Sequence, residues 1–132
     1  MKVSQALQVP LEELIGPQRA VVKLYKSDLL PVRQRGKVRL RRLLPETIAG
    51  LEIDRMELPQ GAYMSGVPHT PGTREYLTCE SGRIQLSVAG SSWELDPGDV
   101  VVFRADQKHA YRNASSQTTV AYSVVAFAPV AE

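Results

Sequence analysis

The spacing of hydrophobic residues along the chain changes at Pro17. Before it, Val3, Leu7, Leu11 and Leu14 recur at the intervals of an amphipathic helix, and Gly16-Pro17 ends that pattern. After it, short runs rich in Val, Ile, Leu, Tyr and Thr recur between Gly, Pro, Asp and Asn. The second pattern predicts strands at 20–26, 37–44, 48–57, 62–67, 75–80, 83–89, 92–95, 100–104, 108–112 and 118–127.

Turn residues support this division into strands. Ser81-Gly82 predicts a hairpin between two short runs, and Pro97-Gly98 predicts a type II turn. Residues 29–36, with the sequence LLPVRQRG, are predicted to form a loop. Ten short strands without intervening helices indicate a β-sandwich or a barrel.

Composition limits the class of protein. The chain has 132 residues, 43% of them hydrophobic and 23% charged, as expected for one globular domain. It contains no apolar run long enough for a membrane helix and no secretory signal near Met1. A single cysteine, Cys79, excludes an internal disulfide framework. We therefore predict a cytoplasmic protein.

The net charge of +2 is unevenly distributed. Residues 1–42 carry ten Lys and Arg against three acids, whereas residues 43–132 carry six against eleven. A basic segment can mark contact with nucleic acid. The alternation of Val38 and Leu40 with Lys37, Arg39 and Arg41 favours instead an edge strand with one solvated face.

Both histidines and one glutamate are the candidate site. His69 and Glu75 flank the Pro71-Gly72 turn, and His109 follows on a later predicted strand. Two imidazoles and a carboxylate that converge could hold one divalent Zn, Fe, Mn or Ni ion. The alternative is a hydrogen-bonded polar cluster without a metal.

These residues belong to two motifs that resemble those of the cupin family, over about residues 50–128. The first motif is matched by Gly61, His69, Glu75 and Gly82, and the second by Gly98, His109 and Asn113. The resemblance implies an all-β fold, the cupin double-stranded β-helix or jelly-roll barrel, with a short N-terminal helical segment. It also implies that His69, Glu75 and His109 are metal ligands.

The sequence departs from the cupin pattern at three positions. Pro71 stands where the family has its second histidine, and Arg104 and Asp106 replace a proline and a glycine. The loss of one of four metal ligands favours sensing over catalysis.

Three further residues are candidates for ligand binding. Cys79 shares strand parity with Glu75 and therefore points inward, and Tyr111 shares parity with His109. Tyr63 is the third candidate, although barrel packing explains it equally well.

The first sixteen residues carry a second resemblance. The sequence VSQALQVPLEELIG is similar to the end of a lambda-repressor-like helix-turn-helix domain. Together with the PHTPGTRE sequence at residues 68–75, it resembles bacterial transcription regulators with a C-terminal cupin sensor. The implied domains are 1–16, a helix-turn-helix remnant; 17–47, a linker with N-terminal strands; and 48–132, the cupin barrel.

The resemblance implies a homodimeric domain that senses a small-molecule effector and does not contact a membrane. DNA is contacted only through the helix-turn-helix domain, whose other helices are expected upstream in the complete gene. A metal-dependent cupin enzyme of dioxygenase or isomerase type is the alternative. A third possibility is a stand-alone barrel used only for oligomerisation.

Overall fold

The computed structural model describes residues 21–129. Within them the chain forms ten strands and one 3₁₀ turn, Ser27–Leu29. The strands are β1 (Val32–Arg35), β2 (Val38–Arg42), β3 (Leu51–Leu58), β4 (Tyr63–Ser65), β5 (Arg74–Ser81), β6 (Ile84–Val88), β7 (Ser91–Leu95), β8 (Val100–Arg104), β9 (His109–Asn113) and β10 (Thr119–Ala126).

The strands form two antiparallel sheets. The larger sheet has the order β1-β2-β3-β10-β5-β8, and the smaller has the order β4-β9-β6-β7. Sequence neighbours β4 and β5 lie in different sheets, as do β7 and β8, so the chain crosses repeatedly between the two sheets. This is the double-sheet arrangement of a jelly roll, and the all-β cupin-like fold predicted from the sequence is confirmed.

Side chains from the two inner faces form one hydrophobic core. Burial alternates along β5 and along β6, so that every second side chain points between the sheets. The larger sheet contributes Val38, Leu40, Met56, Leu58, Leu77, Cys79 and Ala121, and the smaller contributes Met64, Ile84, Leu86, Val88, Leu95 and Tyr111. The inward orientation predicted for Cys79 is confirmed, since it is 2% exposed.

Nine of the ten predicted strands are present, with ends that differ by up to three residues. The exception is 20–26, since residues 21–26 have no strand pairing although Val22 and Leu24 are apolar. Both side chains are largely exposed, and β-branched composition does not make a strand without a partner strand. The predicted helical segment and domain at 1–16 lie outside the described residues.

The predicted loop at 29–36 was also wrong, because it contains β1. Gly36, with φ of +60°, allows a tight hairpin in which Arg35 pairs with Val38. All four residues of β1 are exposed, so the strand lacks the apolar alternation that would reveal it in the sequence. Val38 and Leu40 of β2 are buried, as predicted. The prediction that β2 is an edge strand was wrong, because β1 pairs beside it and is the edge of the sheet.

The division between 17–47 and 48–132 stays a prediction, although β1 and β2 extend the same sheet as β3. Within residues 21–129, no helix is long and apolar enough to cross a membrane.

Candidate functional site

A cavity of about 200 Å³ opens at one end of the space between the two sheets. The predicted residues His69, Glu75, His109 and Tyr111 all line it. The two sheets therefore bring together side chains that lie up to 42 residues apart in the sequence.

Glu75 and Tyr111 form the buried floor of this cavity. Their side chains project from β5 and β9, and both residues are at most 4% exposed. The Tyr111 hydroxyl donates a hydrogen bond of 2.5 Å to Glu75 Oε2. Burial raises the pKa of Glu75, while the Tyr111 hydroxyl and neighbouring His109 oppose that rise. Burial and the negative charge of Glu75 hold the pKa of Tyr111 well above its usual range.

One ring nitrogen of His109 contacts the protein backbone, and the other faces the cavity. Its Nδ1 lies 2.8 Å from the carbonyl oxygen of Gln107, which can only accept a hydrogen bond. Nδ1 therefore donates to this carbonyl, and in the neutral form of the ring Nε2 has a free lone pair. Nε2 lies 3.9 Å from Glu75 Oε1, too far for a direct hydrogen bond.

Gly66 makes room for this imidazole. A Cβ atom at residue 66 would lie 2.1 Å from His109 Nε2, closer than any real contact. The backbone of Gly66 is also tied to β9, because its N–H donates to the carbonyl of His109. Only glycine fits here without displacing the ring.

His69 lies at the outer side of the cavity, on the loop between β4 and β5. Its backbone N–H donates to the carbonyl of Ala105, and its ring packs edge-on against Phe127 at 5.0 Å. The ring centroids of His69 and His109 are 6.4 Å apart. Partial burial, and then the proximity of His109, lower the pKa of His69.

Two arginines of β1 reach the rim of the cavity, which the sequence analysis did not predict. Arg33 Nη2 lies 3.2 Å from Asp54 Oδ2, and Arg35 Nη2 donates a 2.8 Å hydrogen bond to the carbonyl of Ser65 on the other sheet. An exposed arginine on a strand looks like a solvated face in the sequence. Only the hairpin geometry places these side chains over the cavity.

The other two predicted ligand residues lie elsewhere. Cys79 is not part of the cavity lining; it packs in the core, its thiol lies 3.4 Å from the carbonyl oxygen of Ser81, and burial raises its pKa. Tyr63 is half exposed, and Arg112 stacks over its ring at 5.2 Å. Tyr63 lines a neighbouring, more open cavity of about 540 Å³ that shares Gly66 and His109 with the first.

A metal site of three protein ligands does not fit the geometry of residues 21–129. No three His, Cys, Asp or Glu side chains among them are grouped so that they could hold an ion. Glu75 and His109 face one another, but His69 stands apart and Pro71 has no donor atom. The metal role of His69, Glu75 and His109 stays a prediction.

Comparisons with known proteins agree with this fold. The sequence profile of the cupin domain family matches residues 54–125. The chain is 29% identical over 126 residues to the HTH-type transcriptional regulator SutR of Escherichia coli K12, covering 94% of this chain and 67% of that protein.

Two solved structures are also similar. One is the cupin domain of an XRE family transcriptional regulator from Enterobacter cloacae, with 27% identity, a TM-score of 0.66, and coverage of 70% of this chain and 98% of that one. The other is an HTH_3 family transcriptional regulator from Vibrio cholerae, with 26% identity and a TM-score of 0.64, covering 70% of this chain and 52% of that structure. The profile match spans more than half of the sequence and contains Glu75 and His109, and the chain therefore belongs to the cupin domain family.

Proposed function

We propose that this domain is the effector-sensing part of a transcription regulator. One observation carries the proposal: Glu75, Tyr111 and His109 are buried polar groups that converge on a cavity in a cupin domain. Buried polar groups are costly unless they are satisfied or used, so such a cluster is a binding-site candidate. The similar proteins named above are transcription regulators, which supports a regulatory role.

The size of the cavity supports a small ligand. About 200 Å³ is below the 300–1,000 Å³ of typical drug-sized sites. The polar floor, with Glu75, Tyr111 and His109, favours a polar molecule that forms hydrogen bonds. A large apolar effector would leave these groups unpaired.

We further propose binding without catalysis. Pro71 removes the donor that the second histidine of the cupin motif would supply. Glu75 Oε2 accepts from Tyr111 and His109 Nδ1 is held by Gln107, so these two atoms are not free to act as an acid or a base. A bound effector should therefore be recovered unchanged after prolonged incubation with the protein.

Regulation requires that effector binding change the affinity of the protein for DNA. We propose that a helix-turn-helix domain makes the DNA contacts, because two of the similar proteins are named for such a domain. Residues 21–129 contain no α-helix that could enter a major groove. Effector binding would then change the DNA affinity of the complete regulator, and coupling of this kind is commonly 5- to 150-fold.

We also propose a homodimer that forms along β8. Strand β8 is an edge of the larger sheet, with Val100 62% and Val102 50% exposed and Tyr76 beside them on β5. An exposed apolar edge is a template for pairing with a second strand, whereas the opposite edge, β1, carries arginines that discourage it. A second copy could continue the sheet about a two-fold axis.

Sedimentation tests the dimer. The wild type should have twice the 14.6 kDa mass of the chain, and Val102→Lys should convert it to the monomer. Val67→Lys, at an exposed apolar position away from β8, is the matched control and should remain dimeric. A monomeric wild type, or a dimer unaffected by Val102→Lys, would contradict pairing along β8.

A thermal-shift screen tests the sensing proposal. The 132-residue chain is heated with separate sets of amino acids, amines and organic acids, and a ligand at 100 times its Kd stabilises by about 2.7 kcal/mol. Glu75→Gln should abolish the shift, whereas Glu80→Gln, at an exposed position of the same strand, should preserve it. If no compound shifts the wild type, or Glu75→Gln responds equally, the proposed site is wrong.

A further inference from the structure

Two hydrogen-bond acceptors face each other across the floor of the cavity. Glu75 Oε1 and His109 Nε2 are 3.9 Å apart, and both side chains are buried. An ionised carboxylate can only accept. The Gln107 carbonyl holds an N–H on Nδ1 of His109, so Nε2 is an acceptor in the neutral imidazole. Two acceptors at this spacing do not satisfy each other, and a donor between them would satisfy both.

The donor must have at least two N–H or O–H bonds, or be a cation. A metal ion normally takes three or more protein ligands. Within residues 21–129, no third His, Cys, Asp or Glu side chain is grouped with Glu75 and His109. An ammonium group has three N–H donors and a positive charge, which suits a carboxylate and an imidazole lone pair together. The chemistry of the floor therefore favours an amine.

A cation for which the described residues supply no acidic partner stands at the rim of the same cavity. Arg33 is paired with Asp54, but within residues 21–129 Arg35 has no carboxylate within ion-pair distance. One of its terminal nitrogens, Nη2, donates to the Ser65 carbonyl, which holds the guanidinium across the mouth. Arg35 lines the same cavity as Glu75, His109 and Tyr111.

We infer that the effector is a small zwitterion of the α-amino acid class. Its ammonium group lies between Glu75 Oε1 and His109 Nε2, and its carboxylate is bound by the Arg35 guanidinium, which suits planar anions. This inference rests on the proposed sensing function and names the class of ligand for that site. The cavity of about 200 Å³ limits the side chain of the amino acid to a small one.

The first test uses the wild-type chain and needs no variant to fold. The twenty common L-α-amino acids are screened by isothermal titration calorimetry. The tightest binder is then compared with its carboxamide, which lacks the carboxylate, and with the corresponding acid that lacks the amino group. Each derivative should bind at least tenfold more weakly. If either binds within threefold of the amino acid, the zwitterion assignment is overturned.

A second test assigns the two ends of the ligand to protein residues. Arg35→Gln should weaken amino acid binding ten- to a hundredfold while leaving the affinity for the carboxamide nearly unchanged. Arg39→Gln, an exposed arginine on β2 outside the cavity, should bind like the wild type. Equal losses for the amino acid and the carboxamide in Arg35→Gln would contradict the carboxylate contact.

The outcomes separate this inference from the proposed function. If a simple amine or organic acid binds tightly and Glu75→Gln abolishes it, sensing stands and the zwitterion is refuted. If Zn²⁺ or Mn²⁺ alone binds at micromolar concentration and is lost in Glu75→Gln, the floor is a metal site and the ammonium assignment is wrong. If no small molecule binds, both proposals fail.

Discussion

Replacing Tyr111 with phenylalanine tests whether the buried Glu75–Tyr111 hydrogen bond controls the stability of the site. The change removes one hydroxyl and keeps the ring, so core packing is almost unchanged. A hydrogen bond to a charged acceptor contributes about 1.5–3 kcal/mol, and one to a neutral acceptor about 0.5–1.5 kcal/mol. Glu75 is 1% exposed, so the loss of this donor leaves a buried carboxyl oxygen with one hydrogen bond fewer.

The dependence of this effect on pH follows from the raised pKa of Glu75. A carboxyl group whose pKa is higher in the folded than in the unfolded state contributes stability below its unfolded pKa. That contribution is lost as the pH rises through the folded pKa. Tyr111 lowers the folded pKa, so its removal enlarges the loss at neutral pH. We expect Tyr111→Phe to cost about 2 kcal/mol at pH 7.5 and about 1 kcal/mol at pH 4.

Urea unfolding at both pH values measures the difference, with thermal unfolding as a second readout. For a chain of this size, 2 kcal/mol corresponds to a fall in Tm of about 8 °C. Tyr63→Phe is the control, because that ring is half exposed and its loss should stay within about 0.5 kcal/mol. A cost below 0.5 kcal/mol at pH 7.5, or an equal cost at both pH values, would refute the reasoning.

Three further predictions concern packing. Gly66→Ala should displace the His109 ring, since the new Cβ would lie 2.1 Å from Nε2, and an NMR shift of that imidazole together with lost effector binding would show it; unchanged binding would contradict the close approach. Leu77→Ala, at a fully buried position, should cost about 2–5 kcal/mol in urea unfolding, whereas Val67→Ala, 61% exposed, should cost little. Cys79 should react slowly with iodoacetamide in the native protein and quickly in urea, because burial raises its pKa and blocks access; rapid native labelling would place the thiol at the surface.

The parts of the fold that could be predicted are those in which side-chain burial leaves a pattern in the sequence. On β5, inward Glu75, Leu77 and Cys79 alternate with more exposed residues, and the period of two revealed both the strand and its buried face. Strand β1 has no such pattern, because all four of its residues are exposed. Its existence depends on pairing with β2 through the turn at Gly36, which propensity alone does not show.

The same physical difference explains what was predicted of the site. His69, Glu75 and His109 are sparse polar residues at motif spacing, and the structure places all three along one cavity. Strand parity could not show that Cys79 lies in the core and not at the cavity. Parity tells which face of the sheet a side chain is on, but not whether it lies near the cavity end of the strand. The distance between Glu75 and His109 depends on how two sheets meet, which no local pattern encodes.

The placement of Arg35 bears on how cupin domains of this kind could differ in ligand choice. The cupin profile matches residues 54–125, which include Glu75 and His109, whereas Arg35 lies before that match on a hairpin attached to the edge of the sheet. The floor of the cavity is thus formed by the barrel, and the exposed hairpin adds the charges of Arg33 and Arg35 at its mouth. An edge hairpin can change its outward residues at little cost in stability, because they are not packed in the core. Replacing arginine by an acidic or neutral residue on such a hairpin would alter the charge of the ligand accepted while leaving the barrel intact. If Arg35 binds the ligand carboxylate as proposed, ligand selectivity in this domain resides as much in β1 as in the motif that identifies the family.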